Sequence, residues 1–519
     1  MITETTVNET KTTIFKTKSS AEYIYDDKTG ARFPVNEVLK KAIDLCSKFS
    51  LKEVQAQLIK EYQKISVDGA LKFIERWRKT YGGFYSSASE NNEIRKNLES
   101  IKSIKPEDLK DQFLRSPHLA RQLILNVTED CNLRCKYCIY SDNYKLTRKP
   151  SKNVMTLETG KKAIDYFFKL NEKLASRNPG KKISIGFYGG EPLLSLSTID
   201  KLVQYAQKNT PLHLSFHMTT NGMLLNDEVA DFIVKNKIML AISLDGDKEN
   251  HDRNRVTVNG RGSFDIVYNN IKRFLERHSD YAERFGFVCV YDWNIDLEAV
   301  ERFFEDNRLN VMFVDSVLYS SGEGNYYDRF TEREKKRFIK QNNHMRKKFT
   351  NNLMNRKTPT LFSLRYLNAQ YLSIFIHLRV FDKRMKMIPF TGACMPGIKI
   401  SVRSDGIFDM CERVNATMPI GNVETGLDWN AIANIIRKYT SALGDKCLSC
   451  PFTRMCEFCY GDGNSMRNTS FLFPEDRCKF IQKCRADALS WLYSILETDP
   501  NAFDWLTDYL KRPEGEYFF

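Results

Sequence analysis

The feature that most constrains the fold is a regular alternation of apolar and amphipathic segments between residues 121 and 319. Apolar runs typical of buried strands occur at 121–127, 182–190, 212–222, 238–246, 285–291 and 311–319. Between them lie amphipathic helical patterns, at 156–174, 195–209, 226–236, 263–278 and 297–307. Strands joined through helices pair in parallel by right-handed crossovers. This pattern predicts an α/β fold built on a partial (β/α)6 barrel of the TIM type.

The N-terminal region predicts a separate, smaller unit. Residues 12–35 have the pattern of three short strands, and amphipathic helices are expected at 37–49, 51–63 and 67–81. We expect these elements to form an α+β domain over residues 1–85.

Composition divides the remainder of the chain. The polar stretch after the first domain predicts a linker with one helix, and residues 331–358 predict a basic helix with ten Lys and Arg against two acidic residues. The expected boundaries are 86–118 for the linker, 119–330 for the barrel, 331–390 for a basic helical bridge, 391–490 for a cysteine-rich domain and 491–519 for a C-terminal tail.

The chain carries a net charge of +14, from 79 Lys and Arg against 65 Asp and Glu. Such a balance allows an acidic partner, either nucleic acid, an anionic peptide or an anionic lipid. No apolar run reaches the ~18 residues of a membrane helix, and the polar start MITETTVNETKTT is unlike a signal peptide. We therefore expect a cytoplasmic enzyme or binding protein with no membrane partner. In a reducing compartment, clustered thiols bind metal more often than they form disulfides.

Most of the 13 cysteines fall into two groups. Cys131, Cys135 and Cys138 directly follow the first barrel strand, at the end where barrels of this type keep their chemistry. Three thiolates at this spacing can bind three irons of one [4Fe–4S] cluster and leave the fourth iron without a protein ligand. A three-cysteine zinc site is the alternative, although structural zinc prefers four closed ligands. The isolated Cys46 and Cys289 are interpreted as buried small hydrophobic residues.

The run CNLRCKYC resembles the signature of the radical S-adenosylmethionine (SAM) enzymes, and the resemblance extends over about 120–320. It implies that Glu191 contacts the SAM amino group and that Ser243 and Arg255 hold the methionine carboxylate or the ribose. Tyr137 would line the adenine side. The residues expected to bind the cofactor are Tyr137, Gly189, Gly190, Glu191, Asn221, Ser243, Asp245 and Arg255. The glycines would let a ligand approach the backbone, and capping a helix or turn is the alternative role for Asp245.

The same resemblance implies the chemistry of the site. The cluster donates one electron to SAM and releases a 5′-deoxyadenosyl radical, which abstracts a hydrogen atom from the substrate. The cofactors carry this step, while the barrel supplies orientation and excludes water. An electron donor of the flavodoxin or ferredoxin type is implied as a partner.

The second group of cysteines lies between residues 394 and 484. Its CxxC pairs fit a zinc ribbon on spacing alone. Beside the first group, however, the array resembles the SPASM extension of radical SAM enzymes, which holds two auxiliary [4Fe–4S] clusters. The resemblance implies an outer cluster bound by Cys447, Cys450, Cys456 and Cys478, and an inner cluster bound by Cys394, Cys411 and Cys459. Three [4Fe–4S] clusters and SAM are thus the expected cofactors.

The array departs from the SPASM pattern in two ways. Two residues separate Cys456 from Cys459 where the family usually has three, and no cysteine stands shortly before Cys394. The inner cluster therefore has three protein ligands unless Cys484 supplies a fourth, and an uninvolved thiol is the alternative for Cys484. An iron without a protein ligand could bind a substrate thiolate.

A catalytic residue is also implied by the resemblance. Glu412 directly follows Cys411, at a place where some SPASM enzymes put an acidic residue that takes a proton from the substrate. A surface acid is the alternative interpretation.

The N-terminal domain resembles the recognition element of enzymes that modify ribosomally synthesised peptides, a winged-helix-like module that binds a leader peptide by strand addition. The expected function is therefore a maturase that forms thioether crosslinks in a ribosomally synthesised precursor peptide. Carbon–carbon crosslinking, anaerobic sulfatase maturation and RNA modification are the alternatives. RNA modification would use the basic stretch 331–358 to bind phosphates. A solvated helix is the preferred interpretation of that stretch, so we expect no nucleic-acid partner.

Overall fold

The computed structural model describes residues 11–85, 88–116, 119–144, 149–176, 180–210, 212–317, 326–374, 394–413, 417–456, 458–460 and 475–506. In chain order they form a small α+β domain, a helical segment, a parallel barrel and a mixed C-terminal region. None of the described helices is long and apolar enough to cross a membrane.

The N-terminal domain contains the three strands and three helices expected from its sequence. They are β1 (Thr12–Lys16), β2 (Glu22–Asp26), β3 (Ala31–Pro34), α1 (Glu37–Cys46), α2 (Leu51–Leu58) and α3 (Lys64–Tyr81). The strands form an antiparallel sheet in that order. Ser50 begins α2 through a capping box with Glu53. The domain has a core of its own, in which Cys46 is buried as expected.

The segment 86–118, expected to be a linker with one helix, contains two helices. They are α4 (Ala88–Lys102) and α5 (Pro106–Leu114), and both pack against a long C-terminal helix, α14 (Trp429–Leu448). Leu98 of α4 and Leu448 of α14 form a small buried cluster. Charged residues on the exposed faces of α4 and α5 obscured their amphipathic pattern in the sequence.

The six predicted barrel strands and the fold class are confirmed. The strands are β4 (Gln122–Thr128), β5 (Lys182–Gly189), β6 (His213–Thr220), β7 (Met239–Ser243), β8 (Phe285–Tyr291) and β9 (Val311–Ser316), and neighbours pair in parallel in chain order. The helices between them are α6 (Leu157–Ala175), α7 (Leu196–Asn209), α8 (Asp227–Lys235), α9 (Lys248–Asn254), α10 (Phe264–Arg277) and α11 (Leu297–Asp306). Only α9 among them was not expected. Cys289 is fully buried in β8, as predicted.

The barrel sheet is extended in a way that the sequence did not indicate. β10 (Lys399–Val402) pairs in parallel with β4, and β11 (Ile407–Asp409), β12 (Gly421–Asn422) and β13 (Gly426–Leu427) follow in antiparallel steps. Asn126 Nδ2 of β4 donates to Ser401 Oγ and to the Val402 carbonyl, both at 2.9 Å. Strands this short carry too few residues for a hydropathy pattern. This pairing joins the cysteine-rich region to the strand that precedes Cys131.

The basic stretch forms one helix, α12 (Glu332–Met354), begun by a capping box of Thr331 and Glu334. It is followed by α13 (Leu361–Leu367) and a π-helical turn over Asn368–Leu372. The long helix α15 (Glu475–Leu496) lies near the end of the described chain. Part of the basic charge on α12 is neutralised within the chain, because Arg346 pairs with Asp487 and Lys348 with Glu301.

Candidate active site

One large cavity lies at the carboxyl ends of the barrel strands and extends to the cysteine-rich region. Its volume is about 1920 Å³, beyond the roughly 300–1,000 Å³ of ordinary small-molecule pockets. The predicted residues of the barrel that line it are Cys131, Cys135, Tyr137, Cys138, Gly189, Gly190, Glu191, Asn221, Ser243 and Arg255. Folding therefore brings together residues that lie at the ends of different strands.

The first cysteine group lies on the loop that follows β4. The backbone N–H of Leu133 donates to Cys131 Sγ at 3.4 Å, and Arg255 Nη1 lies 4.0 Å from Cys135 Sγ. Burial raises the pKa of the Cys131 and Cys135 thiols to about 12. A metal acts in the opposite direction, because a thiol that coordinates a metal loses its proton. Donors beside sulfur suit thiolate ligands of an iron–sulfur cluster, so this donor set fits a [4Fe–4S] cluster.

The structure gives Gly189 and Gly190 a role beyond the expected approach of a ligand. A Cβ atom on Gly189 would lie 2.2 Å from the Thr128 carbonyl oxygen, and one on Gly190 would lie 2.0 Å from the Asp130 carbonyl oxygen. The Gly190 N–H donates to the Thr128 carbonyl at 2.8 Å. The missing side chains thus allow two backbone segments to meet. They fix the loop that leads into the first cysteine group, in addition to facing the cavity.

Glu191 is buried and is held by the end of the neighbouring strand. Its Oε1 accepts hydrogen bonds from the Thr220 hydroxyl at 2.6 Å and the Leu193 N–H at 3.1 Å, and its Oε2 accepts one from the Asn221 N–H at 2.7 Å. Burial raises the pKa of this carboxyl group, and the hydrogen bonds oppose that shift. Each carboxylate oxygen has two lone pairs, so Glu191 retains capacity for an ammonium group. Thr220 was missed, although its place before Asn221 at a strand end was a usable signal.

Asp245 joins two of the predicted cofactor residues to each other. Its Oδ2 accepts hydrogen bonds from Arg255 Nε at 2.9 Å and from the Tyr137 hydroxyl, and its Oδ1 accepts one from the Val290 N–H at 2.9 Å. Asp245 is absent from the described residues that line the cavity. It caps no helix either, because Asp247 is the N-cap of α9. Its place in the structure is that of a residue that holds Arg255 and Tyr137 at the cavity wall.

The cysteines of the C-terminal region occupy two places. One set lines the cavity that also contains the first cysteine group: Cys394, Cys411, Cys459 and Cys484. The other set packs against the hydrophobic core: Cys447, Cys450, Cys456 and Cys478. Cys411 also packs against that core, and the division into an inner and an outer cluster stays a prediction. Cys484 lies where it can either bind the inner cluster or face a substrate.

Contacts within each C-terminal group are consistent with cluster ligands. Burial raises the pKa of Cys456 to about 12, and the nearby Cys450 and Cys478 thiolates contribute to this shift in the same direction. Gln482 Nε2 lies 3.5 Å from Cys450 Sγ. Burial, followed by the charges of Glu412 and Cys459, also raises the pKa of Cys411.

Among the described His, Cys, Asp and Glu side chains, no three converge on a point that would hold a single metal ion. A [4Fe–4S] cluster does not need such convergence, since each thiolate binds a different iron. The chemistry of the three cysteine groups therefore remains suited to clusters.

Glu412 lies in the cavity wall, where its side chain is 8% exposed. Its Oε1 is 3.9 Å from Arg413 Nε, and its buried Oε2 has no hydrogen-bond partner in the described part of the chain. A buried acceptor without a partner is costly, so a donor from a bound molecule would stabilise it. Tyr188, which sequence reasoning missed, also lines the cavity. Burial raises the pKa of Tyr188 to about 12, and the charge of Glu412 contributes in the same direction.

Comparison with known protein families decides the nature of the barrel. Residues 125–287 match the model of the radical SAM superfamily. The barrel is a radical SAM domain. Proteins with this domain are enzymes that use a [4Fe–4S] cluster and SAM, and the radical SAM domain here contains the cysteine loop and the cavity described above.

Curated relatives match part of the chain. It is 30% identical over 188 residues to a cysteine-type anaerobic sulfatase-maturating enzyme of Clostridium novyi, covering 35% of this chain and 47% of that protein. It is 32% identical over 165 residues to the radical SAM cyclopropyl synthase TigE of Paramaledivibacter caminithermalis, covering 30% of this chain and 33% of that protein. The chain thus spans less than half the length of either relative.

A solved structure, native anSMEcpe with bound AdoMet, aligns with a TM-score of 0.52 and 20% identity. The alignment covers 74% of this chain and 98% of that chain. At this level of identity, the likeness concerns the fold.

Proposed function

We propose that this protein is a radical SAM maturase that forms thioether crosslinks in a ribosomally synthesised precursor peptide. The observation that carries the proposal is the shared cavity. The barrel cysteine loop, four C-terminal thiols and the unpaired carboxylate oxygen of Glu412 border the same space. A volume of about 1920 Å³ is larger than that of an ordinary small-molecule pocket, which supports a peptide substrate beside the cofactors.

SAM and the cluster bound by Cys131, Cys135 and Cys138 would supply a carbon-centred radical that removes a hydrogen atom from the acceptor residue. Arg255, held by Asp245, would bind an anionic part of SAM, and Glu191 would accept a hydrogen bond from its amino group. In this proposal the walls of the cavity would limit the access of water to the reacting atoms.

Thioether formation removes a hydrogen atom from carbon and a proton and an electron from the rest of the substrate. Glu412 would accept the proton of a substrate thiol through Oε2, which has no hydrogen-bond partner among the described residues. Cys394, Cys411 and Cys459 would hold the inner cluster as electron acceptor, beside that carboxylate. Cys447, Cys450, Cys456 and Cys478 would hold the outer cluster.

The N-terminal domain would bind the leader peptide at β3. The opposite edge of its sheet, β1, is covered by α15: Ser490 Oγ donates to the Lys16 carbonyl at 2.5 Å, and the Lys18 N–H donates to Ser494 Oγ at 2.9 Å. β3 pairs with β2 on one side and with no other described strand. Its free edge is therefore the one that can accept a further strand.

A row of aromatic side chains on α3 lies beside β3. Phe73, Trp77 and Tyr81 are spaced four residues apart and share one face of the helix, with ring centroids 5.9 and 4.7 Å apart. Phe33 of β3 packs 5.2 Å from Phe73 and 5.3 Å from Trp77. We call these four residues the aromatic groove. A leader strand added to β3 would place alternate side chains on it.

The test is to incubate the anaerobically reconstituted protein with SAM, a chemical reductant or flavodoxin, and the cysteine-containing peptide encoded beside its gene. Mass spectrometry should show the loss of one pair of hydrogens per crosslink. Fragmentation should place a sulfur-to-carbon bond between two residues. A product whose cysteines still react with an alkylating agent would contradict the thioether and favour a carbon–carbon link.

A second candidate, maturation of a cysteine-type sulfatase, is favoured by the 30% identity to such an enzyme. The same assay with a peptide from a cysteine-type sulfatase separates the two functions. Conversion of that peptide, with no change in the neighbouring precursor, would favour sulfatase maturation.

A further inference from the structure

One of the contacts between the N-terminal domain and the C-terminal region is a buried turn that follows β2. Asp27, in this turn, is fully buried. Its Oδ1 accepts hydrogen bonds from the Tyr25 hydroxyl and the Arg454 N–H, both at 3.0 Å, and its Oδ2 accepts one from the Thr453 hydroxyl at 2.5 Å. A buried carboxylate with three donors makes strong, geometrically defined hydrogen bonds. The turn is therefore fixed to the segment that contains Thr453 and Arg454.

Arg454 strengthens the same contact from the other side. Its Nε donates to the Asp27 carbonyl at 2.6 Å and its Nη2 to the Lys28 carbonyl at 2.5 Å. The ring of Tyr25 stacks on Phe452, with centroids 5.9 Å apart and planes at 11°. Contacts to backbone carbonyls fix the path of the chain as well as the side chains.

The turn is also rigid within its own domain. The adjacent Asp26, likewise fully buried, accepts from Trp77 Nε1 at 3.0 Å, the Thr29 hydroxyl at 2.8 Å and the Phe84 N–H at 3.2 Å. One aspartate thus anchors the turn to its own core while Asp27 faces the C-terminal region.

The partner segment is a one-turn helix, Thr453–Met455, which lies between Cys450 and Cys456. Both cysteines belong to the proposed outer cluster, and Cys456 directly follows the helix. The outer group therefore takes part of its geometry from a residue more than 400 positions earlier in the chain.

We propose that Asp27 is a positioning residue for the outer auxiliary cluster, so that the N-terminal domain is a structural part of that cluster's site. The inference rests on the proposed assignment of Cys447, Cys450, Cys456 and Cys478 as ligands. Residues that orient metal ligands from outside typically affect metal retention by 10–100-fold. The leader-binding domain and the outer cluster would then form one unit.

The test compares Asp27→Asn with Glu497→Gln in the full-length, reconstituted protein. Glu497 is a matched control, because it accepts from Thr17 and Ser19 across the same pair of domains, both at 2.9 Å, but lies away from the cysteines in sequence. The contribution of the outer cluster is measured with a Cys478→Ala variant, which should contain roughly four fewer irons than wild type. Iron release to a ferrous chelator and the electron paramagnetic resonance (EPR) spectrum of the reduced protein are measured for each.

Asp27→Asn should release the outer four irons about tenfold faster than wild type and change their EPR signal. Glu497→Gln should do neither. Equal behaviour of the two variants, or faster release of all irons together, would overturn the inference. If Cys478→Ala lost no iron, the outer-cluster assignment would fail first, and this inference with it.

Thr453→Val provides a second approach if Asp27→Asn folds poorly. The substitution replaces the Thr453 hydroxyl with a methyl group, so the side-chain volume is nearly unchanged, and Asp27 stays charged beside Arg454. Thr453→Val should also accelerate loss of the outer cluster, and adding it to Asp27→Asn should have little further effect, because both substitutions disturb the contact between Asp27 and Thr453. Additive effects, or no effect of Thr453→Val, would contradict the proposed contact.

Discussion

Arg255 Nε lies 2.9 Å from Asp245 Oδ2, and both side chains are buried at the wall of the cavity that contains the cysteine loop. Asp245 also accepts from Tyr137. Asp245, behind the cavity wall, thus holds the side chains of Arg255 and Tyr137, which line the cavity. The affinity of the site for SAM should therefore depend on a residue that does not contact SAM.

Replacing Asp245 with Asn should weaken SAM binding about tenfold, roughly 1.4 kcal/mol. The substitution leaves Arg255 without its charged partner, which also destabilises the fold by about 3 kcal/mol. Equilibrium dialysis with SAM and chemical denaturation measure the two effects.

Asp292→Asn is the matched control for that variant. Asp292 is buried and accepts from Arg253 at 3.1 Å and from the Tyr326 hydroxyl at 2.9 Å, but it is not among the described residues lining the cavity. The Asp292→Asn variant should lose about as much folding stability as Asp245→Asn, but its folded form should bind SAM as tightly as wild type. Equal loss of SAM affinity in both variants would show that Asp245 acts only through stability.

Changing Cys131, Cys135 and Cys138 together to Ala should remove about four irons and abolish SAM cleavage while the other clusters remain. Iron analysis and chromatography for 5′-deoxyadenosine measure both. Cys289→Ala serves as the control, because Cys289 is buried in β8 and is not itself among the described residues that line the cavity, and this variant should retain all irons. Continued formation of deoxyadenosine by the triple variant would refute the assignment of the loop.

Glu412→Gln should reduce crosslinking about a hundredfold or more, because an amide cannot take the substrate proton. Uncoupled SAM cleavage should continue, since the residues proposed to bind SAM belong to the barrel and do not include Glu412. Product mass and deoxyadenosine are followed in one assay. Asp315→Asn changes another carboxylate of the cavity, 3.8 Å from Arg413, and should have a much smaller effect.

Tyr81→Ala should weaken binding of the precursor about tenfold by removing part of the aromatic groove, with SAM cleavage unchanged. Tyr81 is 48% exposed, and Phe49, 42% exposed and outside the groove, offers a control of similar exposure. Fluorescence anisotropy with a labelled leader measures both. Point substitution is preferable to deleting residues 1–85, since deletion would uncover Phe452 and Tyr493, which pack on this domain.

The free energy of unfolding should decrease as the pH is lowered from 7 to 5.5, because His217 is buried in its neutral form. Burial lowers the pKa of His217 to about 4, from about 6.5 in the unfolded chain. The unfolded state therefore binds a proton below about pH 6.5 while the folded state does not, and the contribution is lost as the pH falls towards 4. The expected loss over the measured range is about 1 kcal/mol. Denaturation of wild type and His217→Gln at both pH values tests it, and an equal pH dependence would exclude His217.

Local features of the sequence determined the elements and their types. Alternation of hydropathy identified the six barrel strands, Ser50 marked the start of α2, and the spacing of Cys131, Cys135 and Cys138 indicated cluster chemistry at the end of β4. These are contacts between near neighbours in the chain, so spacing alone is informative about them.

Tertiary structure decided the relationships between distant residues. It placed Asp245 behind the cavity wall, closed Gly189 and Gly190 against the backbone of β4, and fixed Asp27 to Thr453. It also added β10 to the barrel sheet. These contacts join residues that are far apart in sequence and depend on how whole elements pack, so no local pattern encodes them.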